Sequence, residues 1–198
     1  NEGIRMEDFG ELLTTSGLIV DSKITWLTFH SCFDFGYLIK SILNGHLPMD
    51  EKEFFRYYKA FFPKSYDIKM LMKEPGPASK LKGGLQDVAD TLQVIRIGRR
   101  HQAGSDALLT ARTFFKIKEL FFADNWNEIS EQVQGHMYGL GNTLSNPAMY
   151  LPPVTPISNS GPSILSITPS SLADATSTSA IYASLQNDDL GSSVSSES

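Results

Sequence analysis

The Phe, Trp and His residues of this chain are confined to its first three quarters. All twelve Phe precede residue 123, and all four His and both Trp precede residue 146. Beyond that point six Pro stand among dense Ser and Thr. Such a segment cannot bury enough apolar surface to offset the conformational entropy lost on folding. We therefore predict a folded domain over 1–145 and a disordered tail over 146–198, which is either a phosphorylatable regulatory segment or an extension without a role.

Composition narrows the class of protein. With 198 residues, 41% apolar and 20% charged, the chain fits one soluble globular domain. The net charge of -5 argues against a general basic surface for nucleic acid, but not against an enzyme that uses metals and a local basic strip. The single Cys32 excludes an internal disulfide, and no apolar run is long enough for a membrane span. The chain opens in a polar stretch without Met, so we expect an N-terminally truncated fragment.

Hydrophobic periodicity in residues 1–145 alternates between strand and helix. Residues 24–30 alternate β-branched and aromatic side chains, which predicts a strand. Helical spacing predicts helices at 5–16, 34–44, 50–62, 83–92 and 106–122, with Gly17, Gly45 and Pro63 just past three of their ends. The segment 66–72 fits either type. Strands interleaved with helices predict an α/β architecture, with a sheet partly covered by helices.

Three residues at predicted helix starts are candidates for metal-assisted hydrolysis of a phosphodiester. Asp34 directly follows the strand, at the edge where α/β folds place their ligands. Asp106 follows a turn at Gly104 and Ser105, and His101 lies five positions earlier. Carboxylates suit Mg²⁺, which keeps several waters, and an imidazole can accept a proton from water near neutral pH. The competing interpretation is that both aspartates merely cap their helices.

Basic residues around the His–Asp stretch offer phosphate contacts. We predict Lys82 and Arg99 as substrate-binding, although solvated surface charge is the better explanation for at least half of the basic residues in this region. The set considered is Lys80, Lys82, Arg96, Arg99 and Arg100. A zinc site at His30 and Cys32 lacks further ligands, and nothing near Cys32 supports its pairing with His101 as a nucleophile.

Two blocks carry a family resemblance. The stretch Trp26-Leu-Thr-Phe-His-Ser-Cys-Phe-Asp34-Phe-Gly-Tyr37 and the stretch Arg99-Arg-His101-Gln-Ala-Gly-Ser-Asp106-Ala-Leu-Leu-Thr110 resemble signature blocks of the Caf-one (Pop-two) deadenylases. These are RNase D-like catalytic subunits of the Ccr–Not complex. Supporting matches lie at 81–90, 114–122 and 138–141, so that the resemblance covers about residues 1–145.

The resemblance implies an RNase H-like α/β exonuclease fold and a 3′-to-5′ exoribonuclease that shortens poly(A) tails. It implies Asp34 and Asp106 as ligands of two divalent ions (Mg²⁺ or Mn²⁺) and His101 as the general base. The implied partners are poly(A) RNA, the Not scaffold subunit, the Ccr nuclease subunit and Tob/BTG adaptors, with no membrane. The implied location is cytoplasmic and nuclear.

The chain departs from the family pattern in its acidic residues. The family uses four acids, of which two form an Asp-x-Glu on an early strand, and no Asp here is followed two positions later by Glu. We therefore expect an incomplete fold without the first sheet strands, and a chain that is inactive by itself although its parent is an active deadenylase. The alternative is a non-catalytic interaction module that keeps the Ccr–Not or Tob/BTG docking surfaces.

Overall fold

The computed structural model describes residues 3–141. This range contains helices and two short strands. They are α1 (Met6–Thr15), β1 (Trp26–Thr28), α2 (Cys32–Leu43), α3 (Glu51–Phe61), β2 (Ser65–Asp67), α4 (Ile68–Leu71), a 3-10 helix (Pro77–Lys80), α5 (Leu85–Thr91), α6 (Ala103–Phe121) and α7 (Trp126–Val133). The predicted α/β class is confirmed. The predicted tail at 146–198 and its boundary lie outside the described residues.

Within the described range the sheet has two parallel strands, β1 and β2. Trp26 lies opposite Ser65, and Thr28 lies opposite Asp67. Parallel neighbours require a crossover connection, which α2 and α3 supply here. The predicted strand at 24–30 is confirmed in type but is shorter, because the backbone of His30 turns into the left-handed region at φ 64°. Helix α6 contacts β1, so the sheet is partly covered as expected.

Local signals explain several helix ends. The Asp50 carboxylate accepts a hydrogen bond from the Lys52 N–H at 3.2 Å and caps α3, which ends two residues before Pro63. Gly17 follows α1 with φ 75°, as a helix stop requires. The segment 66–72, which fitted either a strand or a helix, contains both: it completes β2 and then forms α4.

Two helix starts and one helix end were placed wrongly from the sequence. Helix α2 begins at Cys32 and not at Asp34, and its left-handed terminal residue is Asn44 (φ 48°) and not Gly45. Helix α6 begins at Ala103, so Gly104 and Ser105 lie inside it and form no turn. The chain turns earlier, at Gly98 (φ 92°) and His101 (φ 59°).

The buried apolar side chains form two clusters on either side of the short sheet. One lies under α2 and α3 around Phe35, Phe54 and Tyr58. The other joins β2 and α4–α7 around Ile68 and Ile117. Helical spacing also predicts that Tyr37 and Leu120 point inward, but both are exposed, at 46% and 50%. No helix in 3–141 is long and apolar enough to cross a bilayer.

Candidate functional site

Asp34 lies in the first turn of α2, just beyond the carboxyl end of β1. Ser31 is the residue that precedes the helix, so the helix-cap interpretation of Asp34 is wrong. Its side chain is exposed to solvent. A carboxylate in a first turn is favoured by the partial positive charge of the helix N-terminus. Asp34 is therefore accessible, and a cation could reach its carboxylate.

Asp106 lies in the first turn of α6, whose capping position is taken by Gln102. The cap interpretation is wrong for this residue too. One carboxylate oxygen, Oδ1, accepts a hydrogen bond from Nη1 of Arg96 at 2.5 Å. The Asp106 side chain keeps 35% of its surface exposed, whereas the Arg96 side chain keeps 12%. Arg96 is thus engaged inside the protein, and it is not the open phosphate contact that the sequence allowed.

His101 lies in the loop before α6 and is exposed. Its backbone adopts a left-handed conformation at φ 59°, which is uncommon for a residue with a side chain. Such conformations occur often at functional sites, where the surrounding structure holds the residue in place. The imidazole is thus fixed to a tight turn two residues before α6 and is open to water.

The donor set fits a hard divalent ion in part. Asp34 and Asp106 offer oxygen ligands on first turns of two helices, and Mg²⁺ or Mn²⁺ bound through few carboxylates completes its shell with water. Among residues 3–141, however, no three His, Cys, Asp or Glu side chains form a group able to hold a metal. Asp34, His101 and Asp106 therefore do not make a complete metal site by themselves.

Lys82 and Arg99, the predicted substrate contacts, lie in different surroundings. Lys82 lines an open pocket of about 370 Å³ whose wall also includes Lys69, Lys73 and Tyr138. The Lys69 ammonium donates a hydrogen bond to the Gly83 carbonyl at 2.7 Å. Among the described residues, no carboxylate lines the pocket. Arg99 is exposed in the loop before α6 and does not line it.

Asp67 is a buried residue that sequence reasoning missed. It ends β2, is 1% exposed, and its two oxygens accept hydrogen bonds from the backbone N–H groups of residues 30, 31, 69 and 138 and from the Ser31 hydroxyl. The carboxylate thus holds the loop that leads into α2, and the first turn of that helix carries Asp34. Asp34 was selected because α/β folds place functional residues at the carboxyl ends of strands. The same argument would have selected Asp67 if residues 65–67 had been predicted to form a strand.

Cys32 is fully buried in the first turn of α2. Burial raises the pKa of its thiol, which disfavours the thiolate. A nucleophilic role for Cys32 has no support in this geometry.

The described residues thus define an α/β protein with two carboxylates on the first turns of helices beside a parallel sheet. The model of the CAF1 family ribonuclease matches residues 6–114, more than half of the chain and all three candidate site residues. The chain belongs to the CAF1 ribonuclease family.

Curated relatives are similar over the same region. The CCR4-NOT transcription complex subunit 7 of Caenorhabditis elegans is 64% identical over 146 residues, which are 73% of this chain and 47% of that protein. Poly(A) ribonuclease pop2 of Schizosaccharomyces pombe is 49% identical over 143 residues, 72% of this chain and 41% of that protein. The chain therefore spans less than half the length of these two relatives.

Solved structures confirm the fold. The Mg²⁺- and Mn²⁺-bound S. pombe Pop2p is similar with a TM-score of 0.62 and 48% identity, over 70% of this chain and 52% of that one. CAF1 co-crystallised with the MIF4G domain of yeast NOT1 gives a TM-score of 0.59 and 28% identity, over 69% of this chain and 54% of that one. A relative with divalent metals and one with a scaffold domain thus share this fold.

Proposed function

We propose that the protein containing this chain is a 3′-to-5′ exoribonuclease that shortens poly(A) tails within a Ccr–Not complex. The observation that carries the proposal is the ribonuclease family match, which includes Asp34, His101 and Asp106. The similarity to a metal-bound Pop2p supports two divalent ions as cofactors. Asp34 and Asp106 are their ligands from this chain.

The chemistry follows from the residue types. The ions, when bound, lower the pKa of a bound water and neutralise charge on the phosphodiester. Asp34 and Asp106 present carboxylate oxygens from the first turns of two helices. The exposed His101 accepts the proton of the attacking water and passes it to solvent.

Lys82 and Arg99 contact the phosphates of the RNA substrate. The positive surroundings of Lys82, with Lys69 and Lys73 on the same pocket wall, support this assignment for Lys82. Arg99 is two residues from His101 and exposed, so it can reach a backbone that approaches the imidazole. Phosphate contacts position the strand without reading its bases.

The experiment is hydrolysis of a 5′-labelled 20-mer of adenosine by the protein at its natural length, with Mg²⁺ or Mn²⁺. We expect stepwise shortening from the 3′ end, and at least a hundredfold loss of rate in Asp106→Asn and Asp34→Asn. Asp124→Asn, an exposed aspartate just beyond α6, is the matched control and keeps the rate. Full activity of both site variants would refute the assignment.

The 198-residue chain alone is expected to be inactive on the same substrate. Its described residues provide two carboxylates and no third metal ligand beside them, and its sequence contains no Asp-x-Glu. Metal-dependent shortening by the isolated chain, abolished by Asp106→Asn, would contradict this expectation.

The Not scaffold is the partner with the most support, because a related CAF1 co-crystallises with the NOT1 MIF4G domain. The surface that fits it is the outer face of α1, where Phe9 is 40% and Leu12 63% exposed, together with Leu18 at 47% and Val20 at 65%. Exposed apolar side chains at this density are typical of protein interfaces. We expect Leu12→Glu to abolish binding of a purified MIF4G domain in calorimetry. Leu120→Glu, at a leucine of α6 that is 50% exposed, should leave the binding intact. This surface is also what a non-catalytic interaction module would retain.

The Ccr nuclease subunit, the Tob/BTG adaptors and a cytoplasmic and nuclear location belong to the same proposal. They rest on the family resemblance of the two signature blocks. Co-purification of the tagged protein from its own cells with each subunit, and imaging of the same tag, tests them. Absence of both partners from the purified complex would remove them from the proposal.

A further inference from the structure

The guanidinium of Arg96 sits in a polar network beside Asp106. Its Nε donates to the Gln86 Oε1 at 2.5 Å, and its Nη1 donates to the Ser105 Oγ at 3.0 Å as well as to Asp106. Gln86 in turn donates from Nε2 to the Asp90 carboxylate at 2.7 Å. The network therefore links two turns of α5 to the first turn of α6 through a single side chain.

Arg96 is held independently of Asp106. Only 12% of its side chain is exposed, and two of its three partners are the neutral groups of Gln86 and Ser105. Its backbone is also restrained, because Arg112 of α6 donates to the neighbouring Ile95 carbonyl at 2.9 Å. A planar guanidinium anchored on several sides keeps its place when one partner acquires another ligand.

Asp106 has the opposite character. About a third of its side chain is exposed, and within residues 3–141 its Oδ1 accepts a hydrogen bond from Arg96. Without this hydrogen bond the carboxylate would rotate about its side-chain torsions. With it, Oδ1 is held by Arg96, and the partly exposed carboxylate keeps its second oxygen for a cation.

We propose that Arg96 is a positioning residue that orients the Asp106 carboxylate for divalent-metal binding. The inference rests on the proposed function, in which Asp106 is a metal ligand. A guanidinium beside a metal site has two opposing effects: its charge repels the ion, and its hydrogen bond fixes the ligand. Outer partners that fix a ligand typically contribute about 10- to 100-fold in metal affinity. Because Gln86 and Ser105 also anchor Arg96, we expect orientation to outweigh repulsion here.

The test measures Mn²⁺ affinity by calorimetry and electron paramagnetic resonance, in the protein at its natural length. We expect Arg96→Gln to raise the Mn²⁺ dissociation constant at least tenfold. Gln86→Leu touches neither Asp106 nor the ion and should raise it severalfold in the same direction. Arg112→Gln removes an equal charge from the same region without touching Asp106 and should leave the affinity unchanged. Thermal melting without metal checks that each variant is folded.

The outcomes separate the inference from the function. If the wild-type protein binds Mn²⁺ and Arg96→Gln binds it equally or more tightly, the positioning role is refuted and the proposed function stands. If the wild-type protein binds no Mn²⁺ under conditions that detect millimolar affinity, the proposed function fails and the inference fails with it. A parallel loss in Arg96→Gln and Arg112→Gln would show that the loss does not depend on the hydrogen bond to Asp106, and would also refute the positioning role.

Discussion

Ser31 donates both of its hydrogen-bond donors to Asp67. The backbone N–H and the hydroxyl reach the Oδ2 atom at 3.0 and 3.1 Å, across 36 residues of sequence. Ser31 precedes the first residue of α2, so the contact fixes where that helix begins relative to β2. The position of Asp34, three residues further on, thus depends on a carboxylate that does not reach the surface.

Asp67→Asn is expected to destabilise the fold strongly. Both carboxylate oxygens accept hydrogen bonds. Oδ1 accepts from the backbone N–H groups of His30 and Lys69. Oδ2 accepts from the N–H and the hydroxyl of Ser31 and from the Tyr138 N–H. An amide NH₂ would face an N–H donor in either orientation. Leaving buried donors without an acceptor costs about 3 kcal/mol in the free energy of unfolding. Urea denaturation followed by circular dichroism measures it.

The matched control for this change is Asp21→Asn. Asp21 also accepts a hydrogen bond from a backbone N–H, that of Lys23, at 2.8 Å. Because Asp21 is exposed, water can accept the hydrogen bond that an amide NH₂ cannot. We expect a change within about 0.5 kcal/mol. Equal losses in the two variants would show that burial of Asp67 has no special consequence.

Gly10→Ala tests the contact between α1 and α2. A Cβ at Gly10 would lie 2.1 Å from the Ser41 carbonyl oxygen, which is backbone and cannot move aside cheaply. Separating the helices should cost about 2 kcal/mol of the free energy of unfolding. Gly104→Ala, also within a helix, meets nothing within 4 Å and should be neutral or up to about 1 kcal/mol more stable. Similar effects of the two substitutions in urea unfolding would contradict the close helix contact.

Much of the fold could be predicted from the sequence, because periodicity and turn residues act locally. The α3 helix illustrates this, since Asp50, its apolar spacing and Pro63 all agree. Helix α7 was missed although Trp126, Ile129 and Val133 have helical spacing, because the segment is short and polar between these residues. The α6 start was misplaced because Gly104 and Ser105 are typical of turns, whereas packing of Ser105 against Gly98 and Arg96 keeps them helical.

The candidate site was predictable as residue types and not as an arrangement. Asp34, His101 and Asp106 were selected by position and by resemblance, and their roles stay predictions. The Arg96–Asp106 ion pair joins residues ten apart, and Asp67 gathers donors from segments up to 71 residues away. Contacts of this kind depend on how the helices pack, which no local pattern encodes.

Trp126→Ala tests whether α7 is a necessary part of the apolar cluster that joins β2 and α4–α7. The indole ring lies 5.4 Å from the Tyr66 ring and 5.5 Å from the Phe114 ring, and the Lys118 ammonium lies 4.7 Å above it. Truncation should cost about 3 kcal/mol of unfolding free energy, because it removes ring contacts and leaves a cavity. Lys118→Gln removes only the cation and should cost under about 1 kcal/mol. If Lys118→Gln were the more damaging change in urea unfolding, the ring packing would not be the dominant contribution.

Tyr58 should make the fold sensitive to alkali. Its ring is 1% exposed and its hydroxyl lies 2.7 Å from the Ser65 Oγ. Burial raises the pKa of this phenol above the value of about 10 that it has in an unfolded chain. Above pH 10 the unfolded state therefore loses a proton that the folded state keeps, so stability falls as pH rises.

The comparison with Tyr58→Phe isolates this contribution. At pH 8 the variant should be about 1 kcal/mol less stable, because Ser65 loses a buried partner. Between pH 10 and 11 the wild type should lose up to about 1.4 kcal/mol more than the variant, so the two stabilities converge. Urea unfolding at pH 8, 10 and 11 measures the difference, with Tyr57→Phe, whose partly buried ring stacks on Phe61, as the control. A constant gap between wild type and Tyr58→Phe over this range would mean that the phenol ionises equally easily in the folded and unfolded states.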